Sequence, residues 1–202
     1  SALTILFLFW SISHLVKQIV SKNQNISLTE SFKIFGSSSL GALTFTFTDS
    51  FWYNAVEAEV YAMASLILSL LFWLGLKWTE DLDKPRGDKW LILISFVIGL
   101  SFGVHFMGLL AIPAVGLLYY FKRYDFNLKS FLLANIISIS ILLFIFKLLL
   151  PATLSIFGYV EVFFVNEIGL PFNYGTIFSA IILILTILSL IHISEPTRRA
   201  II

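Results

Sequence analysis

The chain alternates between long apolar runs and short polar stretches. A helix that crosses the hydrocarbon core of a bilayer needs about 20 mostly apolar residues, so each long run predicts one crossing. The predicted crossings are 2–20, 34–51, 54–78, two within 90–121, 130–150 and a last one from 176 onward. Between the two crossings within 90–121, the chain is predicted to turn back at "GLSFGVHFMG". The pattern therefore predicts an all-α fold, a polytopic transmembrane helix bundle with about seven spans.

The composition supports this prediction. Of the 202 residues, 58% are hydrophobic and 12% are charged, whereas a soluble domain is about half apolar and a quarter charged. The bilayer is therefore the first predicted partner, and nothing in the sequence suggests a basic surface for nucleic acid. The sequence has no cysteine, which excludes disulfides and thiolate metal ligands. It contains no common catalytic motif and no metal-ligand spacing, so it predicts no metal site and leaves open whether a divalent metal takes part.

Lys and Arg residues gather in alternate polar stretches. Because these residues favour the cytoplasmic side of a membrane, the stretches that hold them are predicted to be cytoplasmic. They carry ten of the eleven basic residues before Leu188, namely Lys17, Lys22, Lys33, Lys77, Lys84, Arg86, Lys89, Lys122, Arg123 and Lys129. The outer side then holds Asp49, Glu57, Glu59, His105, Glu161 and Glu167. Only Lys147 brings a positive charge near that side.

The stretch "TDSFWYNAVEAEVYAM" (48–63) places three carboxylates among aromatic residues, without any Lys or Arg. One interpretation is a helix start, where Asp49 or Ser50 caps the helix and the acids complement its dipole. On a continuous helix, however, Glu57 and Glu59 differ by about 200° and point to opposite faces. Since a lipid-facing carboxylate is costly, at least one is expected to face the protein interior or a wet cavity. Tyr61, one turn beyond Glu57, is expected to share its face.

Two isolated residues near the predicted outer side each allow two interpretations. His105 lies at a predicted turn between Gly103 and Gly108, which allow close approach of the backbone. It is interpreted either as a hydrogen-bonded structural residue or as a ligand-binding one. Lys147 is interpreted as a side chain that reaches the membrane surface from near a helix end, or as a partner for a lipid phosphate.

Segment 161–175, "EVFFVNEIGLPFNYG", mixes acids, amides, aromatics and a proline. It is short for a span and lacks the Lys and Arg of an ordinary aqueous loop. This pattern predicts an amphipathic re-entrant or interfacial segment, or else a hydrophobic loop packed on neighbouring helices.

The last stretch of the chain has an unusual match. "LSLIHISEPTR" (188–198) agrees over its whole length with the translation of a transposase-type sequencing adapter. Residues 188–202 are therefore predicted to be an artefact, and 1–187 to form the transmembrane domain. His192, Glu195, Arg198 and Arg199 are then without function. An apolar run follows Ser1 directly, so the chain is expected to begin within a longer protein.

Three segments, "FTDSFWYNAVEAEVYAM", "GLSFGVHFMGLLAIPA" and "FVNEIGLPFNYG", follow one another in this order. Their order and spacing resemble DUF2723, a bacterial membrane family frequent in Bacteroidetes and similar to the GT-C glycosyltransferases related to protein O-mannosyltransferases. The resemblance implies a GT-C-like enzyme that transfers a sugar such as mannose from a polyprenyl-phosphate donor to a protein or glycan acceptor. It places the site at the periplasmic face of the bacterial cytoplasmic membrane. The family's first acidic motif is missing here, so the fragment is expected to be inactive alone.

The resemblance also implies roles for residues. Asp49, Glu57 and Glu59 are predicted to support catalysis, with Glu57 and Glu59 holding the acceptor or the sugar. His105 is predicted to contact sugar or phosphate, and the other predicted substrate-binding residues are Tyr61, Asn166, Asn173 and Lys147. Asn166 and Asn173 are expected to line the donor groove. The lipid-linked sugar is a substrate, and no resident cofactor is predicted.

Two other classes of function remain open. A transporter or channel also uses small residues and intramembrane acids, and a structural membrane subunit needs no site at all. The acids of this chain gather at one face instead of the midplane, and no inverted repeat is evident. Both features favour the enzyme.

Overall fold

The computed structural model describes residues 1–21, 26–57 and 59–199, with the side chains of the last helix described as far as Ser189. All regular structure in these ranges is helical, which confirms the predicted all-α bundle. The helices are α1 (Ala2–Val20), α2 (Leu28–Thr46), α3 (Asp49–Val56), α4 (Tyr61–Glu80), α5 (Lys89–Ser101), α6 (Ala111–Arg123), α7 (Leu128–Phe144), α8 (Leu150–Asn166) and α9 (Tyr174–Arg199). The chain divides into two compact units, 1–142 and 143–202.

Four helical stretches in the described part of the chain are long and apolar enough to cross a membrane. They are Ala2–Val20, Tyr61–Glu80, Phe106–Arg123 and Leu128–Asn166, and two shorter apolar helices cover Lys89–Ser101 and Tyr174–Ser189. Only 6% of the most apolar window of Leu128–Asn166 is buried within the protein. An apolar helix surface this long and this exposed matches lipid and not water. The chain is an integral membrane protein.

Helix α4 is the centre of the first unit. Buried residues recur along it at helical spacing. They are Ala64, Ile67, Leu71, Leu74, Gly75 and Trp78. Helices α1, α5 and α6 pack around it, and Trp78 stacks on Tyr119 of α6 with ring centroids 5.7 Å apart. Its 20 residues separate its two ends by about 28 Å at about 1.5 Å per residue. Groups at these two ends therefore face different environments.

Small residues let α1 and α2 pack closely, as the run "GSSSLGA" predicts. Ser13 of α1 donates its hydroxyl to Ser38 Oγ of α2 at 2.9 Å. A Cβ on Gly41 would lie 2.9 Å from Ile12 Cδ1 across the same contact. The interface therefore depends on side chains that occupy little space.

Asp81 organises the loop between α4 and α5. Its carboxylate accepts hydrogen bonds from Lys84 Nζ at 2.8 Å and from the Trp90 indole at 2.9 Å. These donors, with the nearby charge of Lys89, lower the pKa of Asp81 from 3.8 to about 2. A Cβ on Gly87 would lie 2.2 Å from the backbone oxygen of Asp81, so only glycine fits there. The loop is a compact polar structure, as expected for an aqueous segment.

Two predicted crossings have the wrong bounds. The second was predicted at 34–51, but α2 begins at Leu28 and ends at Thr46. Ser27 and Glu30 form a capping box, with Ser27 N–H donating to Glu30 Oε2 at 2.8 Å and Glu30 N–H to Ser27 Oγ at 3.2 Å. Polar caps start the helix before its apolar run begins. The third, predicted at 54–78, is divided into α3 and α4.

The helical backbone from Leu128 to Asn166 is continuous, so the helix predicted over 130–150 does not end at 150. A π-helical turn at Ile145–Leu149 joins α7 to α8, where Leu150 N–H donates to Ile145 O. Pro151 has no N–H to donate to the preceding turn, and the wider turn accommodates this loss. The helix therefore continues through the proline.

The segment 161–175, predicted to be re-entrant or interfacial or else a packed loop, is helical at both of its ends. Its first part, to Asn166, is the end of α8, and α9 begins at Tyr174. The short link between them joins two helices that pack against each other within the second unit. The segment is a helical hairpin and its turn.

Candidate functional site

The acidic stretch forms a short helix and a break. Thr48 precedes α3, Asp49 is its first residue, and Glu57 ends it with an extended backbone. Glu59 lies in the link before Tyr61, the first residue of α4. Because the chain is not helical here, the argument that Glu57 and Glu59 point to opposite faces of one helix is wrong. The expectation that Tyr61 shares a helix face with Glu57 fails for the same reason.

His105 meets Tyr61 across the end of the first unit. Their ring centroids are 5.8 Å apart and their planes are inclined by 48°. This contact brings the turn after α5 to the start of α4, beside the link that carries Glu57 and Glu59. Of the residues that the sequence predicted for the site, the structure therefore places Tyr61 against His105, with the two acids on the adjoining link.

The hydrogen bonds of His105 define which ring nitrogen is available. His105 precedes the 3₁₀ turn Phe106–Leu110, and its Nδ1 accepts the Met107 N–H at 3.1 Å. A nitrogen that accepts cannot carry a proton, so Nε2 carries it in the neutral ring. The structural and the ligand-binding interpretations of His105 are therefore compatible, because Nδ1 caps the turn and Nε2–H remains as a donor.

The carboxylates of Asp49, Glu57 and Glu59 are exposed, and no described residue bonds to them. A carboxylate without a partner accepts hydrogen bonds from hydroxyl groups and can take a proton from one. Together with the Nε2–H of His105 and the phenol of Tyr61, they supply both acceptors and donors. Such a set suits a polyhydroxylated ligand.

Ser101 is a residue of this region that sequence reasoning missed. It is fully buried, its hydroxyl donates to Ile98 O at 2.6 Å, and its carbonyl accepts the His105 N–H at 2.8 Å. A Cβ on Gly108 would lie 2.2 Å from Ser101 Oγ, whereas Gly103 has nothing closer than 3.6 Å. Of the two predicted glycines, only Gly108 makes a close approach. The sequence signal that could have identified this contact is the pair of small residues, Ser101 and Gly108, on the two sides of the predicted turn.

The other end of α4 collects basic side chains. His14 of α1 lies 3.9 Å from Glu80, and Lys77, Lys17 and Lys122 are close enough for their charges to act on its ring. Lys77 also pairs with Glu80. Three of the residues predicted to share the basic side are thus together, about 28 Å along α4 from Tyr61. Lys22, predicted with them, lies outside the described residues.

The remaining predicted residues, Lys147, Asn166 and Asn173, belong to the second unit. Lys147 is exposed in the π-helical turn, 5.5 Å from the centre of the Phe146 ring. It lies within a continuous helix, so the interpretation that it is near a helix end is wrong. Asn166 is exposed at the end of α8, and Asn173 has a left-handed backbone just before α9.

Glu161 has a structural role in that unit. Its carboxylate accepts hydrogen bonds from Asn173 N–H and from Thr176, at 2.7 Å from the N–H and 3.0 Å from the hydroxyl. It therefore caps the first turn of α9, where free N–H groups and the helix dipole favour a negative charge. A Cβ on Gly175 would lie 2.5 Å from Glu161 Cα, so this close crossing requires glycine.

Within the described ranges, no three His, Asp or Glu side chains are grouped closely enough to hold a metal ion.

The chain matches a known protein family. Residues 1–128 match the family described as "Protein O-mannosyl-transferase TMEM260 N-terminal domain". These residues are more than half of the chain and include both Glu57–Glu59 and His105, and the chain belongs to this family. The match confirms the mannosyltransferase relationship that the motifs indicated, while membership in DUF2723 stays a prediction. No curated protein and no solved structure matches the chain.

Proposed function

We propose, from membership in the protein O-mannosyl-transferase family, that this chain belongs to a membrane glycosyltransferase. The enzyme transfers mannose from a polyprenyl-phosphate donor to a hydroxyl group of a protein. The architecture is GT-C-like, and the enzyme is a member of the bacterial DUF2723 branch. Its site faces the periplasm from the cytoplasmic membrane.

The contact between Tyr61 and His105 is the observation that carries this proposal. It joins two sequence segments about 40 residues apart into one surface, next to carboxylates without described partners. Both segments lie within the residues that match the family. The surface is also at the opposite end of α4 from the basic cluster of Lys77 and Lys122. By the preference of basic residues for the cytoplasm, it is the outer end.

The proposed reaction assigns a task to each group. The oxygen of the acceptor hydroxyl forms a bond to C1 of mannose, and the bond from C1 to the phosphate oxygen breaks. The hydroxyl proton passes to a carboxylate, with Glu57 or Glu59 holding or deprotonating the acceptor. The electron pair of the broken bond leaves with the polyprenyl phosphate. A donor such as His105 Nε2–H stabilises the charge that develops on that phosphate. Asp49 supports the site from the start of α3. That Lys147, Asn166 and Asn173 bind the donor stays a prediction from the resemblance.

The test uses membranes that contain the full-length protein to which this chain belongs, supplied with radiolabelled polyprenyl-phosphate mannose. The quantity measured is the rate at which label becomes linked to protein. Loss of one hydrogen bond to a charged group costs about 1.5–3 kcal/mol, or about 10- to 150-fold in rate. We expect losses of this size for Glu59→Gln and for His105→Asn. The asparagine can still accept the Met107 N–H as a cap, so His105→Asn should fold normally.

Asp83→Asn is the matched control, because Asp83 is an exposed carboxylate in the loop at the opposite end of α4. It should transfer mannose at the wild-type rate. The proposal is contradicted if Glu59→Gln and His105→Asn also keep that rate. Mannose uptake into vesicles without protein-linked label would instead indicate a transporter.

A further inference from the structure

The loop between α6 and α7, taken together with the helix ends beside it (residues 121–131), has an ordered structure that the proposed reaction does not use. Tyr120 is almost fully buried and its hydroxyl lies 2.8 Å from Ser130 Oγ. The same oxygen accepts the Asn127 N–H at 3.1 Å and lies 3.2 Å from Asn127 O. The Tyr124 ring stacks on the Tyr120 ring at 6.0 Å. The end of α6 is thereby held against the start of α7.

Exposed aromatic rings cover one part of this loop. Phe121, Phe126 and Phe131 form a triangle with centroid distances of 5.7–6.5 Å. Phe121 and Phe126 are nevertheless 54% and 67% exposed. Aromatic residues are enriched at the level of lipid headgroups, where apolar rings lie beside polar groups. The rings indicate that this loop lies at the membrane surface.

The basic residues of the loop have no acidic partners within the described residues. Arg123 ends α6 and Lys129 lies in the first turn of α7, next to Ser130, and neither forms an ion pair. Lys122, two residues from Tyr120, differs from it by about 200° on the helix and lies near His14. Arg123 and Lys129 therefore remain as two cations without an ion pair among the described residues, in the same segment as the three phenylalanines.

Residues 77–89, which are the loop between α4 and α5 with the helix ends beside it, have paired charges instead. Lys77 of this segment lies with Lys122 near His14. Lys77 pairs with Glu80, while Lys84 and Lys89 pair with Asp81 at 2.8 Å and 3.8 Å. Residues 77–89 hold four basic and four acidic side chains, so their formal charges cancel. Residues 121–131 hold three basic side chains and one acidic one. The excess of positive charge is therefore a property of the α6–α7 loop in particular.

We infer that Arg123 and Lys129 form a binding surface for the phosphate headgroup of an anionic phospholipid in the leaflet at the basic end of the bundle. Two cations beside exposed phenylalanines complement a lipid that has a charged head and an apolar body. The buried Tyr120 holds the end of α6, which carries Arg123, against the start of α7, which carries Lys129. This surface lies at the other end of the first unit from Tyr61 and His105, and its role does not depend on sugar transfer.

The test measures binding of phosphatidylglycerol and phosphatidylcholine to the full chain in a neutral detergent, by native mass spectrometry. Each Lys or Arg near an anionic lipid surface strengthens binding about fivefold, so removing two should weaken it about 25-fold. We expect this loss for phosphatidylglycerol in the variant Arg123→Gln/Lys129→Gln, with phosphatidylcholine binding unchanged. The control Lys33→Gln/Arg86→Gln removes two exposed cations predicted for the same side and should bind phosphatidylglycerol like the wild type.

Three results would overturn this inference. Equal losses in the two double variants would show a general attraction to positive charge. Equal binding of both lipids by the wild type would show that the headgroup charge is not recognised. Displacement of phosphatidylglycerol by soluble glycerol phosphate at similar concentration would show a site for a free phosphate compound. Tyr120→Phe, which removes no charge, should also weaken phosphatidylglycerol binding, because it releases the loop.

Discussion

Gly108 is the position where a single methyl group should disturb the site most clearly. A Cβ there would lie 2.2 Å from Ser101 Oγ and 2.4 Å from Ser101 Cβ, far inside the usual separation of about 3.5–4.0 Å. Ser101 is fully buried and its hydroxyl donates to Ile98 O at 2.6 Å. The serine cannot move away without losing that bond. The strain should therefore displace the 3₁₀ turn that His105 caps.

Overpacking of this kind costs about 1–3 kcal/mol, and loss of the serine hydrogen bond adds about 1 kcal/mol. For Gly108→Ala we expect the free energy of unfolding to fall by about 2–4 kcal/mol. In a chain of this length that corresponds to a fall in Tm of about 4–16 °C. Tryptophan fluorescence during heating in detergent measures this fall. Mannose transfer by the full-length protein should decrease in parallel, because displacement of the turn also displaces His105.

Two further variants test the reasoning. Ser101→Gly removes both atoms that the new Cβ would meet, so Gly108→Ala should cost little in that background. The resulting non-additivity should be about 1–2 kcal/mol. Gly99→Ala is the control, because a Cβ there meets nothing within 4 Å and alanine favours the helix by up to about 1 kcal/mol. Additive effects, or equal effects of Gly108→Ala and Gly99→Ala, would refute the explanation.

Other predictions concern the loops and the second unit. The pKa of Asp81 is lowered in the folded state from 3.8 to about 2, so its charge stabilises the α4–α5 loop above pH 4, and this stabilisation is lost as the pH falls through 2. The emission of Trp90, measured as the difference from Asp81→Asn, should change between pH 4 and 2; no difference would exclude the bond. Gly175→Ala should destabilise the α8–α9 hairpin by about 1–3 kcal/mol, as seen by faster amide hydrogen exchange there, whereas Gly158→Ala, with nothing within 4 Å, should not. Tyr120→Phe should cost about 0.5–1.5 kcal/mol because Asn127 and Ser130 lose their hydrogen bonds to the hydroxyl, and an unchanged Tm would contradict that role.

Some features of this protein could be predicted from the sequence because they depend on neighbouring residues. Apolar runs of 17–20 residues are recognisable without knowledge of their partners, and α1 was predicted with its observed bounds, Ala2–Val20. The collection of Lys77 and Lys122 at one end also follows from the order of spans and loops. The turn at His105 was marked by glycines that interrupt an apolar run. Local hydropathy was sufficient for these features.

The second unit shows where such reasoning failed. Glu161 was predicted only to lie on the outer side, and the apolar pattern gave no sign that its oxygens cap α9. Pro151 suggested the end of a span, but a π-helical turn accommodates it. In both cases a hydrogen-bonding arrangement outside the apolar pattern decided the outcome.

The sequence by itself determined that this is a helical membrane protein, and it gave the first helix, Ala2–Val20, with its observed bounds. Hydrophobic burial in lipid acts on each segment separately, so composition and order are enough for these conclusions. Only the tertiary structure decided that the chain breaks between α3 and α4, that Tyr61 meets His105, and that Ser101 leaves no room beyond Gly108 for a side chain. These outcomes depend on packing and hydrogen bonds between residues that are separated along the chain, and packing depends on shapes that the hydropathy pattern does not contain.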